Sequence, residues 1–390
     1  MKVMSVVGAR PNFMKISPFI RAVEAYNREN EPGIEHILVH TGQHYDDRMN
    51  RAFFEALDIP DADINLGIGS GSHAEQVGQT MIAFEKVLQD EKPDWVVVVG
   101  DVNATCACSI TAKKELVRLV HIEAGLRSRD MSMPEEINRL VTDRLADLLL
   151  TPDRLSGENL RNEGVPEERI CFVGNIMIDT LEAQRGKAEA MAVGDVVAEN
   201  LRTEGGRRKA EDGGRKTELR DEGFAVMTMH RPSNVDFPDV LGPLVDFLCD
   251  EVCGEMPLVW PIHPRTEGNL KKFGLWEKVV KTKNMVLLKP VGYHEMLRLN
   301  MAARVMLTDS GGLQEECCVL GTPCLTLRWN TERPVTLKEH GGASVLVGNE
   351  IGRLRKAFRE TLNEERRPVR PELWDGKTAE RCVKAIVTAG

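Results

Sequence analysis

The segment Thr308-Asp309-Ser310-Gly311-Gly312-Leu313-Gln314-Glu315-Glu316 decides the fold of this chain. It follows the apolar run 303–307, which is typical of a buried strand, and it opens a stretch with helical spacing. Proteins of the α/β class bind phosphate at such strand ends, because the free amides and the positive end of the next helix attract an anion. We therefore expect Ser310 to cap the helix, and Gly311 and Gly312 to let a ligand approach the backbone. On its own, an SGG sequence also fits a turn that only joins two elements.

The same alternation of strand-like and helix-like runs continues along the chain. Residues Trp95–Val99 are apolar and mostly β-branched, as in a strand of a parallel sheet that is covered on both faces. A length of 390 residues exceeds what one hydrophobic core usually supports. We therefore predict an α/β fold with two doubly wound, Rossmann-like domains that face a cleft.

The domain limits follow from changes in the character of the sequence. We expect an N-terminal α/β domain over residues 1–178, completed by a C-terminal helix within 366–390. The second α/β domain would then span 179–365. Within it, residues 186–222 are rich in Lys, Arg, Glu and Gly, which indicates a charged insert: a solvated helical hairpin, a mobile segment, or both.

Composition excludes several classes of function. The formal charge of −9, from 51 basic and 60 acidic residues, argues against nucleic acid as a partner. No apolar run approaches the roughly 20 residues that span a bilayer, and the N-terminus has no secretory signal pattern. We therefore expect no membrane contact and a cytoplasmic location. The nine cysteines form no paired CxxC zinc pattern, which favours reduced thiols and no metal.

Two cations follow the first predicted strand, Lys2–Val7. Arg10 and Lys15 lie where open α/β sheets bind nucleotide-type ligands, and they could meet a phosphate directly. A solvated loop with incidental charges fits the same residues. We place the next helix start after this loop, at Ser17-Pro18. The loop is not a GxGxxG fingerprint, so we expect no dinucleotide cofactor.

Three carboxylates stand at strand and helix ends further along the chain. Asp101 follows the strand Trp95–Val99, Glu123 follows the strand 119–122, and Glu135 lies in the first turn of a helix. Each of them alone fits a cap or a surface ion pair. Three carboxylates in one crevice would repel one another and raise the pKa of at least one, which suits acid–base chemistry.

Ten strand-end motifs occur in a fixed order: GARPNFMK, HTGQHYD, GDVNAT, HIEAGLRS, MPEEINR, HRPSN, PIHPRT, PVGYHEM, TDSGGLQEE and TERPV. Together they resemble the non-hydrolysing UDP-N-acetylglucosamine 2-epimerase family. The resemblance implies a GT-B-like architecture in which the second domain binds UDP. It also implies interconversion of UDP-N-acetylglucosamine and UDP-N-acetylmannosamine at carbon 2 of the sugar, by elimination and re-addition of UDP.

The resemblance further implies roles for the residues that match these motifs. The implied catalytic residues are Asp101, Glu123, Glu135 and His230. The implied substrate-binding residues are Arg10, Lys15, Arg139, His263, Tyr293, Ser310, Gly311, Gly312, Glu316 and Arg333. Arg139 and Arg127 would orient the carboxylates, and Gln43 and His44 occupy a possible allosteric position. The resemblance also implies a UDP-sugar as the small-molecule partner, a homodimer, and neither metal nor cofactor.

Other reactions fit the same motifs. A 2-epimerase that acts on UDP-2,3-diacetamido-glucuronic acid shares the GARP, HTGQH and PVGY sequences. A hydrolysing relative would release free N-acetylmannosamine, a UDP-sugar glycosyltransferase of the same architecture would need an acceptor, and a catalytically silent sensor would only bind. Two departures from the family pattern, at Val102 and at Pro232-Ser233, remove no titrating group.

Overall fold

The computed structural model describes residues 1–8, 10–42, 57, 59–202 and 219–390, and of residues 10 and 11 only the backbone. The described chain forms two compact units. Unit 1 contains Met1–Ala183 and Arg370–Gly390, and unit 2 contains Gln184–Val369. Residues 366–369 stay with unit 2 because Arg367 and Val369 donate backbone hydrogen bonds to Gly321 and Cys318. The division therefore differs by a few residues from the boundaries at 178 and 365 that the sequence suggested.

Unit 1 is built on one sheet of seven parallel strands in the order β3-β2-β1-β4-β5-β6-β7. Every residue of the most apolar predicted strand is buried, because helices cover both faces of the sheet. The strands are β1 (Lys2–Val7), β2 (Glu35–His40), β3 (Ile64–Asn65), β4 (Trp95–Val99), β5 (Arg118–Ile122), β6 (Leu148–Thr151) and β7 (Ile170–Phe172). The described helices are Arg10–Glu29, His73–Glu91, Asn103–Lys114, Pro134–Leu145, Arg154–Asn162, Ile176–Glu189 and Thr378–Ala389.

The first helix begins at Arg10, so the predicted loop before Ser17-Pro18 was wrong. Pro18 lies inside this helix and has no N–H to donate to the Met14 carbonyl one turn earlier, a defect that usually costs about 3 kcal/mol. The hydroxyl of Thr180, from a later helix of unit 1, donates to that carbonyl instead. A distant hydroxyl thus replaces the missing backbone hydrogen bond, which no local sequence pattern could indicate.

Unit 2 repeats the design with six parallel strands in the order β10-β9-β8-β11-β12-β13. Alternate residues of β8 pack in different apolar clusters, Ala225 and Met227 in one and Val226 in the other, so helices cover both faces. The strands are β8 (Ala225–Thr228), β9 (Leu258–Pro261), β10 (Met285–Leu288), β11 (Val305–Thr308), β12 (Cys324–Thr326) and β13 (Ser344–Leu346). The predicted fold class, two doubly wound α/β domains, is confirmed, and the cleft stays a prediction.

The helices of unit 2 connect these parallel strands. The helix Pro238–Phe247 continues through a π-helical segment, Leu248–Val252, into a last turn at Cys253–Glu255. The other described α-helices are Val193–Asn200, Pro232–Val235, Pro264–Lys272, Trp276–Lys281, Tyr293–Ala302, Gly311–Leu320 and Ile351–Thr361. No described helix is long and apolar enough to cross a membrane.

The charged insert predicted at 186–222 is only partly within the described residues, because 203–218 lie outside them. Its first part is not a solvated hairpin. Val193 and Val196, in the helix Val193–Asn200, are buried in one apolar cluster of unit 2 together with Phe224. Val193 and Val196 are three residues apart and therefore share one helix face, but the charged residues around this short helix obscured that signal in the sequence.

Candidate functional site

In unit 1, an acid and a cation form a buried pair at the carboxyl ends of the strands. Glu123 follows β5 directly, and the Lys15 ammonium, from the helix after β1, donates to its Oε2. The Lys15 side chain is 7% exposed and the Glu123 side chain is 2% exposed. The backbone of Glu123 has a φ of 69°, a region that is strained for a non-glycine residue and in which active-site residues also occur.

A glycine between the strands leaves room for this pair. Val99 and Ile122 are paired in register, so Gly100 and Glu123 follow neighbouring strand ends. A Cβ atom on Gly100 would lie 3.1 Å from Lys15 Nζ, and the φ of 69° there favours glycine as well. Asp101 is the next residue along the chain after Gly100, the glycine that borders the Lys15–Glu123 pair.

Asp101 is fixed by residues of the helix Pro134–Leu145. Its Oδ2 accepts from Arg139 Nη2 at 2.5 Å, and its backbone carbonyl accepts from Asn138 Nδ2 at 2.8 Å. The Asp101 side chain is still 24% exposed, whereas Arg139 is buried. Arg139 therefore orients Asp101 as predicted, while part of the carboxylate stays accessible to a ligand.

Of the two acids at the start of this helix, Glu136 makes the buried contacts. Its carboxylate accepts from Arg139 Nη1 at 2.8 Å and from the Ser128 and Arg129 amides at 2.9 Å. Those hydrogen bonds lower its pKa although burial opposes them. The predicted Glu135 is half-buried and lies three and four residues before Asn138 and Arg139, hence on the helix face that meets Asp101. Its participation stays a prediction.

A buried histidine supports the Gly100 backbone, and the sequence analysis missed it. His121 lies on β5, with Nε2 2.9 Å from the Gly100 carbonyl and Nδ1 2.6 Å from Asp143 Oδ1. Burial raises the pKa of Asp143, but His121 and Arg127 outweigh it and lower that pKa. Arg127 donates to Asp143 Oδ2 at 2.6 Å and to both oxygens of Glu163. It therefore braces His121 through Asp143, which corrects the expectation that it orients the predicted carboxylates.

In unit 2, a buried aspartate holds the predicted catalytic histidine. Thr308 and Thr228 are paired in register, so Asp309 and His230 come after neighbouring strands. Asp309 Oδ1 lies 2.9 Å from His230 Nδ1, and Oδ2 accepts from the His230 amide at 2.9 Å. Burial raises the pKa of Asp309, but its hydrogen bonds, above all that from His230, lower it overall. The imidazole itself is 44% exposed, so its other nitrogen can reach a ligand.

The second predicted histidine of this unit, His263, lies beside the first. The ring centroids of His230 and His263 are 5.5 Å apart. His263 Nδ1 accepts from the Arg265 amide at 3.2 Å and so caps the helix Pro264–Lys272. Burial, and next to it the proximity of His230, lower the pKa of His263. Because Nδ1 of the neutral His263 ring accepts the hydrogen bond that caps the helix, only Nε2 is available to a substrate.

The SGG turn stands at the start of the helix Gly311–Leu320, as predicted, but Ser310 does not cap it. Ser310 occupies the N-cap position, and within the described residues its side chain makes no capping hydrogen bond. A Cβ on Gly311 would lie 2.7 Å from Glu332 Oε1, whereas one on Gly312 would enter open space. The first-turn amides therefore lack the usual side-chain acceptor and are suited to an anion.

Behind this turn, two arginines and two glutamates form a buried cluster. Arg333 Nε lies 2.5 Å from Glu315 Oε1, and Arg333 Nη1 contacts Glu332 Oε1. Arg328 Nη2 donates to Glu332 Oε2 at 2.6 Å. We define Glu315, Arg328, Glu332 and Arg333 as the arginine–glutamate cluster. The sequence predicted a ligand-binding role for Arg333, and the structure places it beside Gly311 with two carboxylate partners.

Glu316 and Tyr293, both predicted to bind the nucleotide, are brought together. Burial raises the pKa of Glu316 to about 7, and the neighbouring polar side chains of Tyr293 and Asn300 oppose that shift. Glu316 follows Glu315 in the helix Gly311–Leu320, one turn beyond the SGG turn. A carboxyl group that titrates near neutral pH can change its hydrogen-bonding role when a ligand arrives.

Three predicted residues cannot be placed. Gln43, His44 and the Arg10 side chain lie outside the described residues. Among the described residues, no group of three or more His, Cys, Asp or Glu side chains comes together that could hold a metal ion. All nine cysteines are free thiols, and eight of them are buried.

Comparison with known proteins gives matches along the whole chain. The sequence profile of the family described as UDP-N-acetylglucosamine 2-epimerase matches residues 27–387. A UDP-N-acetylglucosamine 2-epimerase of Methanocaldococcus jannaschii is 40% identical over 391 residues, which cover 100% of both chains. A UDP-2,3-diacetamido-2,3-dideoxy-D-glucuronate 2-epimerase of Pseudomonas aeruginosa is 37% identical over 366 residues, 93% of each chain.

A solved structure matches the fold at the same level of identity. The crystal structure of the Methanocaldococcus jannaschii UDP-GlcNAc 2-epimerase in complex with UDP-GlcNAc and UDP has a TM-score of 0.85 and 40% sequence identity. The match covers 100% of this chain and 100% of that chain. The similarity thus includes every strand-end segment described above.

Proposed function

This chain belongs to the UDP-N-acetylglucosamine 2-epimerase family, and we propose that it interconverts UDP-N-acetylglucosamine and UDP-N-acetylmannosamine. The family is one of isomerases, and the chain is an enzyme of that class. The observation that carries the proposal is the two acid–cation contacts after β4 and β5, the partly exposed Asp101 with Arg139 and the buried Glu123 with Lys15. Inversion at a carbon atom needs groups that take and give a proton, and these carboxylates supply them.

The reaction we propose proceeds in two stages. A base removes the proton from carbon 2 while the bond between carbon 1 and the UDP oxygen breaks, which leaves a glycal and UDP. An acid then protonates carbon 2 on the opposite face as the same UDP oxygen attacks carbon 1. Carbon 2 carries no adjacent ketone, so the departing diphosphate must be stabilised by fixed donors and cations, and water must be kept out.

The residues divide into two groups in this proposal. Asp101, Glu123 and Glu135 move protons, with Arg139 and Lys15 fixing the first two of these. Unit 2 binds the UDP portion: the Ser310-Gly311-Gly312 turn holds phosphate, and Glu316 accepts from the ribose hydroxyls. His230 would act on the sugar or the departing diphosphate, and Tyr293, Arg333 and His263 would complete the UDP pocket.

A deuterium experiment tests the reaction class. The protein is incubated with UDP-N-acetylglucosamine alone in deuterated water, and the sugar is followed by NMR. We expect deuterium at carbon 2 and a mixture of two UDP-sugars. Release of free N-acetylmannosamine would identify a hydrolysing enzyme instead, and an absence of exchange without an acceptor would favour a glycosyltransferase.

The second candidate substrate is a UDP-2,3-diacetamido-glucuronic acid, because a 2-epimerase for that sugar is 37% identical to this chain. Both UDP-sugars should be offered in parallel under the same conditions. We expect a higher kcat/KM for UDP-N-acetylglucosamine, and the reverse order would reassign the substrate within the family.

Two further properties belong to the proposal. We propose a homodimer, which light scattering coupled to size-exclusion chromatography would test. We also propose a cytoplasmic location, supported by nine cysteines that are all free thiols, as suits a reducing compartment. A monomer in solution, or a protein recovered from the culture medium, would contradict these two statements.

A further inference from the structure

Arg328 has a buried nitrogen whose hydrogen-bonding capacity is unused. The residue follows β12 and is 5% exposed. Its Nη2 donates to Glu332 Oε2 at 2.6 Å, but its Nη1 has no hydrogen-bond partner among the described residues. A buried charged donor without an acceptor is costly, and in a native protein such a group calls for an explanation.

The unused nitrogen lies against the SGG turn. Arg328 Nη1 would be 3.5 Å from a Cβ atom on Gly311, the first residue of the helix Gly311–Leu320. In the described structure, the N-cap residue Ser310 makes no side-chain hydrogen bond to this helix. Gly311 is therefore close to two independent sets of hydrogen-bond donors, the amides of the first helical turn and the Arg328 guanidinium.

The arginine–glutamate cluster explains why Arg328 is the arginine left with a donor. Arg333 contacts both Glu315 and Glu332, whereas Glu332 is the one acidic partner of Arg328 among the described residues. Two arginines and two glutamates cancel in charge, so the positive end of the helix leaves the neighbourhood favourable to an anion. A planar guanidinium can donate from one nitrogen to a carboxylate and from the other to a phosphate in the same plane. An ammonium group has no such planar pair of donors.

We propose that Arg328 binds a phosphate oxygen of the nucleoside diphosphate through Nη1, while Glu332 holds its Nη2. The inference rests on the proposed function, because it requires the diphosphate to bind at Ser310, Gly311 and Gly312. It adds to that function a phosphate-binding residue, Arg328, that lies outside the sequence motifs described above. Glu332 is then a positioning residue that fixes the plane of the Arg328 guanidinium.

Calorimetric titration of the full chain with UDP and with uridine tests this assignment. The variants are Arg328→Gln and Arg328→Lys, and Arg355→Gln is the control, because Arg355 pairs with Glu251 at the surface of the same unit. We expect the Kd for UDP to rise about 10-fold to 100-fold in both Arg328 variants, the usual effect of losing a hydrogen bond to a charged group. The Kd for uridine, which has no phosphate, should not change.

Each other outcome has a distinct meaning. An equal loss of UDP and uridine affinity would mean that Arg328 only supports the fold and would overturn the inference. Wild-type UDP affinity in Arg328→Lys or Arg328→Gln would also overturn it. If the wild-type protein did not bind UDP, that result would contradict both the proposed function and this inference. Arg328→Lys retains a cation beside Glu332 and provides a folded comparison if Arg328→Gln is unstable.

Discussion

Asp309 Oδ1 lies 2.9 Å from His230 Nδ1, and the same carboxylate accepts the His230 and Arg231 amides through Oδ2. The carboxylate is fully buried, while the imidazole is partly exposed. Asp309 therefore fixes the backbone that carries His230, and its carboxylate favours the ring tautomer with the proton on Nδ1. A buried acid that orients an exposed histidine is a common arrangement for a base or a phosphate-binding group.

Replacement of Asp309 should therefore impair His230 without removing it. We expect Asp309→Asn to lower kcat for UDP-N-acetylglucosamine by about 100-fold, within the range of general acid–base contributions. Asp246→Asn, which changes an exposed partner of Lys278, is the matched control and should leave kcat unchanged. An Asp309→Asn enzyme with wild-type kcat would show that the tautomer of His230 has no role in turnover.

Amide substitutions at the predicted acids test the proton-transfer assignment. Asp101→Asn, Glu123→Gln and Glu135→Gln should each lower kcat by roughly 100-fold or more. Glu91→Gln, at a half-buried partner of Lys2, is the control. Turnover and circular dichroism should be measured on the same samples, because Glu123→Gln also leaves Lys15 buried with a neutral partner. Wild-type turnover in all three amides would discard the assignment.

The two glycines of the SGG turn should respond differently to alanine. Gly311→Ala forces a Cβ to within 2.7 Å of Glu332 Oε1 and 3.0 Å of Arg333 Nη1, so we expect a loss of stability of about 1–3 kcal/mol. Gly312→Ala meets open space and should not lower the melting temperature, but its Cβ should weaken UDP binding if the ligand approaches that backbone. Equal melting temperatures for both variants would contradict the geometry at Gly311.

Glu316 should make stability depend on pH. Its pKa is about 7 in the folded chain against an ordinary value of 4.5, so between these values the folded state binds more protons than the unfolded state. The free energy of unfolding should therefore fall as pH rises from 5 to 8, by roughly 3 kcal/mol from this group alone.

Glu316→Gln tests that sign directly. Urea denaturation of wild type and variant at pH 5 and pH 8 should show a gap in favour of the variant that widens with pH. Glu277→Gln, at an exposed glutamate paired with Lys281, should follow the wild type at both values. Parallel pH profiles for wild type and Glu316→Gln would refute a raised pKa at this position.

The Thr180 hydroxyl should matter only because Pro18 is present. Thr180→Val leaves the partly buried Met14 carbonyl without its donor, and we expect a loss of about 1–2 kcal/mol in urea denaturation. In Pro18→Ala, the new Ala N–H can bond to that carbonyl, so adding Thr180→Val should cost about 1 kcal/mol less than it does alone.

A second threonine in unit 1 provides the control for that cycle. Thr388 donates to the Lys384 carbonyl inside a helix, where the backbone already supplies a donor, so Thr388→Val should have little effect. If Thr180→Val cost the same with and without Pro18, the hydroxyl would not be replacing the missing backbone hydrogen bond.

The sequence predicted β1, β4, β5 and β11 because their signals are local. β4 and β11 are short apolar runs. Gly100 follows β4, and Asp309 and Ser310 follow β11, so small and polar residues mark the strand ends where the candidate site residues lie. Local signals were misleading where a hydrogen bond was made, or not made, by a group that the local sequence does not reveal. The helix that begins at Arg10 contains Pro18, and Thr180 donates to the Met14 carbonyl that Pro18 cannot reach. Within the described part of the chain, the Ser310 side chain makes no hydrogen bond that caps the SGG turn.

The amino-acid sequence by itself determined the α/β class, the strand-end positions of the motifs and the family, because these follow from patterns within a few residues. Only the tertiary structure decided which charges meet. Lys15 reaches Glu123 across 108 residues and Asp309 binds the His230 amide across 79, and neither Glu136 nor Arg328 had a local signal that set it apart. The physical reason is that a buried charge is stable only beside its partner, and in a parallel sheet that partner comes from another strand end.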